Sequence, residues 1–290
     1  MKPPSFEYAA PTSLREAVAI LAGAKGEAKI LAGGQSLVPM LNFRLLKPQV
    51  LVDINRIPDL DYIVEHKGGL RVGALTRHRM LETSALVARH FPVITEAMRH
   101  VAHLAIRNRG TIGGSLSHAD PAAELALIAL LLDAKIKAEG PSGTRSIGAR
   151  DFFIGAMTTA LEDAEIVREI EFPALPPPTG WGFEEFAQRL GDFAIVAAAA
   201  TVSMENGRCV EARIALIGGE TVVRAPKAEG ILKGSALDEA AISAAAKAAG
   251  ETTEFNSDLR ASGEFRRHLA EVLTRRALTA AKQRPLGELP

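Results

Sequence analysis

The chain has 290 residues, of which 47% are hydrophobic, and its 34 Lys and Arg residues balance 34 Asp and Glu residues. This length exceeds what one compact core usually holds and predicts two or three packed units. The balanced charge argues against nucleic acid or an anionic membrane as partner and favours a small molecule or another protein. The single cysteine, Cys209, excludes an internal disulfide framework and fits a reducing cytoplasm.

The N-terminal segment is predicted to alternate helix and strand, as parallel sheets do. Ser13 and Glu16 form a capping-box pattern that predicts a helix from residue 14, with Gly23 as a candidate stop. Strands are predicted at residues 28–32 and 50–54. No apolar signal region precedes them, and we expect an untargeted chain without a transmembrane segment.

The middle of the chain predicts a strand at residues 70–75, Thr76 as the N-cap of a helix that follows, and further helical stretches up to residue 102. A glycine-rich loop then leads to a mostly apolar helix that is expected to begin near Pro121. Short strands follow around residues 135–138, 143–146 and 166–172. The proline-rich run 173–180 predicts a domain boundary.

The C-terminal segment predicts a compact α+β unit. Residues 181–190, 194–204 and 209–219 have the pattern of three antiparallel strands, and residues 237–249 and 264–282 have the pattern of helices. We therefore expect an α+β fold in which a domain of residues 1–175, with subdomains of about 1–56 and 57–175, precedes a second domain of residues 179–290.

Two glycine motifs carry the functional signal. "AGGQS" at residues 32–36 and "GTIGGS" at residues 110–115 each place Gly-Gly and a serine before a predicted helix. A glycine pair lets successive N–H groups point to one side, which suits phosphate oxygens, although a lone pair is more often an ordinary turn. Neither GxGxxG nor GxxxxGK[ST] is present, so the motifs indicate a diphosphate site unlike the Rossmann or P-loop type.

These motifs in their context resemble a known family. The stretches "KILAGGQSLVPMLNFRLLKPQVLVDINRI" and "RNRGTIGGSLSHADPAAE" are similar to the FAD-binding medium subunit of molybdenum hydroxylases, the family of aerobic carbon monoxide dehydrogenase and xanthine dehydrogenase. "DFFIGAMTTAL", "RLGDFAIVAAAA" and "RRHLAEVLTRRAL" extend the resemblance over nearly the whole chain. It implies a two-part FAD-binding domain of the PCMH (vanillyl-alcohol oxidase-like) type, followed by a C-terminal antiparallel sheet with helices.

The resemblance also implies which residues contact FAD. They lie in the first loop with its flanks, in the second loop, and at five later positions. The implied contacts are Leu31, Ala32, Gly33, Gly34, Gln35, Ser36, Leu37, Gly110, Thr111, Ile112, Gly113, Gly114, Ser115, His118, Glu124, Ile166, Val167 and Phe193.

Some of these positions carry more specific expectations. Glu124 matches a carboxylate that binds the adenosine side, and Phe193 stands where relatives place an aromatic residue, often tyrosine, near the isoalloxazine. Gln35 occupies a position that carbon monoxide dehydrogenases tend to fill with histidine and that relatives with organic substrates often fill with glutamine. A buried strand explains Ile166 and Val167 equally well without a ligand.

The family likeness implies an electron-transfer role without catalytic or metal-ligating side chains in this chain. It implies a molybdopterin cofactor on a large subunit, two iron-sulfur clusters on a small subunit, a dimer of heterotrimers in the cytoplasm, and an external electron acceptor such as a quinone, NAD or oxygen. Two alternatives stay open: an independent FAD-dependent oxidase or dehydrogenase of the same fold, and a non-catalytic interaction subunit whose glycine motifs are only turns.

Overall fold

The structure is a computed structural model that describes residues 2–176 and 178–284. Residues 1, 177 and 285–290, the last of which close the predicted C-terminal domain, lie outside the described residues. Among the described residues, no helix has both the length and the hydropathy needed to cross a bilayer. The α+β fold class predicted from the sequence is confirmed.

The N-terminal part is a three-stranded parallel sheet with the strand order β1-β3-β2. The two predicted strands and the helix capped by Ser13 are confirmed, whereas β1 was not predicted, because only three residues form it and two of them are exposed. The elements are β1 (Glu7–Ala9), α1 (Leu14–Gly23), β2 (Ala28–Leu31), α2 (Leu37–Asn42) and β3 (Val50–Asp53).

The middle part is a five-stranded antiparallel sheet, order β4-β5-β10-β6-β7, with helices packed against it and a small hairpin of β8 and β9. Its strands are β4 (Ile63–His66), β5 (Gly69–Gly73), β6 (Lys135–Gly140), β7 (Gly143–Gly148), β8 (Phe153–Gly155), β9 (Thr158–Thr159) and β10 (Ile166–Phe172). Its helices are α3 (His78–Thr83), α4 (Ala85–His90), α5 (Pro92–His100), α6 (Leu104–Arg107), α7 (Ile112–His118), α8 (Glu124–Leu131) and α9 (Ala149–Phe152).

Two helix starts predicted for this part are wrong. Thr76 does not cap α3, whose N-cap is Arg77, because the buried Thr76 hydroxyl is engaged with the backbone of Tyr62. The apolar helix begins at Glu124 and not near Pro121, because the Asp120 carboxylate accepts from the Ala122 N–H and holds residues 120–123 in a turn. The glycine-rich loop before it contains α7, which was predicted only as a loop.

The C-terminal part is a four-stranded antiparallel sheet, order β11-β12-β13-β14, covered by helices. The three long strands and two helices are confirmed, while β14 and α10 were not predicted. The elements are β11 (Thr179–Phe186), β12 (Val196–Glu205), β13 (Arg208–Ile217), β14 (Val223–Arg224), α10 (Pro226–Leu232), α11 (Glu239–Gly250) and α12 (Gly263–Gln283).

The largest hydrophobic core spans the sequence on both sides of the proline-rich run. Helix α8 is buried along its whole length and packs against β12 and β13. Leu127 of α8 therefore shares one core with Phe183 and Ala199 of the C-terminal sheet. The division into domains at residues 175–179 stays a prediction.

Candidate functional site

The two glycine motifs lie side by side in the fold. We call residues 31–37 the first glycine segment and residues 109–118 the second. A Cβ built on Gly33 would lie 2.9 Å from the carbonyl carbon of Arg109 and from the Cα of Gly110, and closer still to the Arg109 carbonyl oxygen. A Cβ on Gly114 would lie 3.9 Å from the Cβ of Ala32. The bare backbone at Gly33 therefore allows the two segments to touch.

The first glycine segment presents a row of unused backbone donors. The N–H groups of Gly33, Gly34, Gln35 and Ser36 have no acceptor among the described residues. Gly34 has a φ of 73°, a left-handed conformation that glycine adopts without strain. Successive N–H groups around a left-handed residue form a concave anion-binding surface. The arrangement fits the diphosphate of FAD.

The second glycine segment is organised differently, because the N–H groups of Ile112 and of its three glycines are already engaged. The N–H of Ile112 donates to the Thr76 carbonyl (3.0 Å) and that of Gly113 to the Ala74 carbonyl (2.9 Å). The N–H of Gly114 donates to Oγ1 of Thr111, which caps α7 (3.2 Å). What this segment offers a ligand is therefore side-chain polarity and the open side of Gly114.

A buried histidine, which sequence reasoning missed, supports the second segment. His78 Nε2 lies 3.0 Å from the Thr111 carbonyl, and because a carbonyl only accepts, Nε2 carries the proton. Burial lowers the pKa of His78 to about 4, so the ring is neutral at physiological pH. A Cβ on Gly110 would lie 2.9 Å from this ring, which explains the glycine there.

Two more polar residues outside both motifs, Asn55 and Arg77, connect the segments. Asn55 donates to the Ala32 carbonyl, and Arg77 donates both to Asn55 and to the Arg109 carbonyl. Neither residue lies in a motif, and they are far apart in the sequence. A polar residue two positions after a strand was the only signal that could have marked Asn55.

The predicted site residue Glu124 is part of a buried acidic pair. Burial, followed by the neighbouring carboxylates of Glu185 and Asp120, raises the pKa of Glu124 to about 8. The Oε2 atom of Glu185 is buried without a hydrogen-bond partner among the described residues, and its Oε1 lies 3.6 Å from Nδ1 of His100. The adjacent Glu185 carboxylate raises the pKa of His100. At neutral pH Glu124 keeps its proton and can donate a hydrogen bond.

The remaining predicted residues lie on several elements. Ile166 and Val167 begin β10, and their side chains are buried in two different hydrophobic clusters, so a ligand can reach them only through the backbone. His118 is the last residue of α7 and is half-buried.

Phe193 lies in the loop between β11 and β12 and is 61% exposed. It lines a cleft of about 250 Å³ together with Arg260. A Cβ on Gly191 in this loop would lie 2.8 Å from the Ala102 carbonyl oxygen, shortly before α6 and the second glycine segment. The loop that carries Phe193 is thus packed against the chain that leads to that segment.

Side chains that could bind a metal ion are not clustered in the described residues. Across residues 2–176 and 178–284, no cluster of three or more His, Cys, Asp or Glu side chains is arranged to hold a metal ion. The site is built from backbone donors and a few buried polar side chains.

Comparison with known proteins covers nearly the whole chain. Residues 4–175 match the family model described as the FAD binding domain in molybdopterin dehydrogenase, and residues 181–281 match that of the CO dehydrogenase flavoprotein C-terminal domain. The 6-hydroxypseudooxynicotine dehydrogenase complex subunit alpha of Paenarthrobacter nicotinovorans is 42% identical over 98% of this chain and 97% of that protein.

Two further relatives extend this similarity. The carbon monoxide dehydrogenase medium chain of Hydrogenophaga pseudoflava is 38% identical over 97% of this chain and 98% of that protein. A chain in the crystal structure of quinoline 2-oxidoreductase from Pseudomonas putida 86 is 42% identical, with a TM-score of 0.93 over 98% of this chain and 99% of that chain. Sequence and fold are therefore similar from end to end.

Proposed function

This chain belongs to the family of FAD-binding medium subunits of molybdenum hydroxylases, and from that premise we propose that its first glycine segment holds the FAD diphosphate. Membership confirms the family expected from the sequence, the α+β fold with an FAD-binding domain of the PCMH type, and FAD as cofactor. The chain is an oxidoreductase subunit that transfers electrons through FAD.

The observation that carries the site assignment is the row of four N–H groups, from Gly33 to Ser36, that find no acceptor in the part of the chain that the structure describes. A hydrogen bond to an ionised oxygen contributes about 1.5 to 3 kcal/mol, so a few of them suffice for tight binding. The hydroxyl of Ser115 lies on the adjoining second segment and is offered as a further donor. Leu31 and Leu37 flank the diphosphate-binding row in this assignment.

FAD, when bound, supplies the redox chemistry, and the chain's own residues bind and orient it. We assign Glu124 the role of a hydrogen-bond donor because its pKa of about 8 keeps it protonated near neutrality. Phe193 is assigned to pack against the isoalloxazine and His118 to approach it. The backbone of Ile166 and Val167 is assigned to line the adenine. No side chain of this chain acts as a nucleophile or general base in this account.

We further propose the assembly in which the chain works. A large subunit would hold the molybdopterin cofactor, a small subunit would hold two iron-sulfur clusters, and two such heterotrimers would pair. The relatives named as a complex subunit and as a medium chain support a multi-subunit enzyme. A quinone, NAD or oxygen would accept the electrons, and the single cysteine favours a cytoplasmic location.

For the complete enzyme we propose an organic substrate rather than carbon monoxide. The 6-hydroxypseudooxynicotine dehydrogenase subunit is 42% identical to this chain and the carbon monoxide dehydrogenase medium chain 38%. Gln35, whose Nε2 donates to the Gly33 carbonyl at 3.0 Å, stands where carbon monoxide dehydrogenases tend to have histidine. Purified complex should oxidise a pyridine derivative with a dye as acceptor, and oxidation of carbon monoxide alone would contradict this proposal.

The FAD site is tested by Gly114→Val in the full chain. A branched side chain there would collide with Oγ1 of Thr111, 2.8 Å from the built Cβ, and narrow the space beside Ala32. We expect a folded protein that has lost its flavin. Gly230→Val is the matched control, because a Cβ on Gly230 meets nothing within 4 Å. Flavin content equal to wild type in Gly114→Val would contradict the assignment.

A further inference from the structure

Asn55 and Arg77 form a bridge between the two glycine segments that no motif marks. We propose that both are positioning residues for FAD: they fix the direction of the first segment's N–H groups and its distance from the second segment. This inference rests on the proposed function, since it concerns the same diphosphate-binding row.

Asn55 controls the orientation of one peptide group in the first segment. Its Nδ2 donates to the Ala32 carbonyl (2.8 Å), while the Asp53 Oδ1 atom accepts from both Nδ2 (2.7 Å) and the backbone N–H of Asn55 (2.9 Å). The carbonyl of Ala32 and the N–H of Gly33 belong to one planar trans peptide and point in opposite directions. Holding that carbonyl towards Asn55 therefore aims the Gly33 N–H away from it.

The next peptide group is held by the same principle. Gln35 Nε2 donates to the Gly33 carbonyl, which turns the N–H of Gly34 to the opposite side. Two successive carbonyls of the first segment are thus tied by side chains. Their paired N–H groups are set in direction before any ligand arrives, which lowers the ordering cost of binding.

Arg77 fixes the distance between the two segments. Its Nη2 donates to Oδ1 of Asn55 (2.8 Å) and its Nη1 donates to the Arg109 carbonyl (2.6 Å). That carbonyl faces Gly33 at the point where the segments touch. A guanidinium is planar and presents its donors in a rigid fork, so one side chain can hold both acceptors at a set spacing.

The bridge is anchored in the N-terminal sheet. The hydroxyl of Tyr8 on β1 donates to Oδ2 of Asp53 (2.6 Å). Partial burial by itself raises the pKa of Asp53, but the hydrogen bonds from Tyr8 and Asn55 outweigh it and keep the pKa below its usual value. Asp53 is therefore charged at neutral pH and orients the Asn55 side chain firmly.

An effect of Asn55 on the position of FAD can be measured without a defect in core packing. Asn55 is exposed, so its replacement by alanine leaves no cavity in the core, and large loss of stability is not expected. The five polar contacts of its side chain and N–H, which include a longer one from Nδ2 to the Leu31 carbonyl (3.4 Å), nevertheless all lie within the bridge and the first segment. The predicted consequence of the substitution is a less ordered donor row in a folded protein.

The experiment titrates FAD into the flavin-free full chain of wild type, Asn55→Ala, Arg77→Ala and Arg77→Lys. Arg79→Ala is the matched control, because Arg79 lies two residues from Arg77 and pairs with Glu82. Flavin fluorescence gives the Kd, visible circular dichroism of bound FAD reports its orientation, and the Tm of the flavin-free protein checks folding.

We expect FAD binding to weaken about tenfold to a hundredfold in Asn55→Ala and Arg77→Ala, because each substitution removes one or more hydrogen bonds from a charged network. The Tm of flavin-free Asn55→Ala and the Kd of Arg79→Ala should match wild type. Arg77→Lys should recover little affinity and keep an altered dichroism, since an ammonium group cannot hold both acceptors.

Wild-type affinity in both alanine variants would overturn the proposal, and full recovery by Arg77→Lys would show that charge alone matters and would overturn it too. If Arg77→Ala does not fold, Asn55→Ala decides. A wild-type chain that binds no FAD would instead refute the proposed function.

Discussion

Replacing Gly33 by alanine tests the contact on which the whole site depends. The new Cβ would lie 2.9 Å from the carbonyl carbon of Arg109 and from the Cα of Gly110, both of them backbone atoms. Carbon atoms are comfortable at about 3.5 to 4.0 Å, so the segments must separate by roughly 1 Å. Overpacking of this kind costs about 1 to 3 kcal/mol of stability.

The same displacement should also weaken FAD binding. Hydrogen bonds lose most of their strength beyond about 3.2 Å. If the two segments hold one diphosphate between them, a shift of that size breaks the hydrogen bonds from one of the segments to it. Losing one or two bonds to a phosphate, each of about 1.5 to 3 kcal/mol, predicts FAD binding weaker by about ten to a thousandfold or more.

Urea denaturation of the flavin-free protein and FAD titration measure the two effects. Gly23→Ala is the control: a Cβ there meets nothing within 4 Å, and this helical position should gain about 0.5 to 1 kcal/mol. If Gly33→Ala denatures at the wild-type urea concentration and binds FAD with wild-type affinity, the account of the contact between the segments is wrong.

Three further substitutions test the surrounding structure. Thr111→Ala should cost the flavin-free protein about 1 kcal/mol through the lost cap of α7, with Thr111→Ser close to wild type in urea denaturation; equal losses would contradict the capping role. Glu124 has a folded pKa near 8, above its unfolded value, so the stability it contributes is complete at low pH and falls by about 1.4 kcal/mol per pH unit as pH rises towards 8. Glu124→Gln should remove this slope in flavin-free protein, and an unchanged slope would exclude burial as its cause. Gly182→Ala places a Cβ 2.8 Å from the carbonyl carbon of Ala277 on α12 and should lower the free energy of unfolding by about 1 to 3 kcal/mol. A Tm equal to that of wild type would contradict this.

The elements that the sequence predicted correctly are those with a strong local signal. The capping pattern at Ser13 and the alternating strands of the C-terminal sheet depend on neighbouring residues, and the structure confirms both. The helix start expected at Pro121 failed for a local reason as well, since the Asp120 side chain stabilises a competing turn. Thr76 failed as a cap because it is buried and its hydroxyl bonds to Tyr62 instead.

The features that escaped prediction depend on contacts between distant segments. The two glycine motifs were identified, but the reasons for their glycines differ: Gly33 admits the Arg109 carbonyl, Gly113 admits Ala74, and Gly34 needs a positive φ. Only the last is a property of the local backbone. Asn55 and Arg77 meet 22 positions apart, and neither has a spacing that marks it before the chain is folded.

An absorption spectrum of the native protein, purified together with its bound partners, should be followed by iron and molybdenum analysis of the same sample. We expect flavin bands at one FAD for each copy of this chain, together with both metals in the assembly. Flavin without either metal would contradict the assignment to a molybdenum hydroxylase. Absence of flavin, even after reconstitution with FAD, would contradict the site itself and reduce "AGGQS" to a turn.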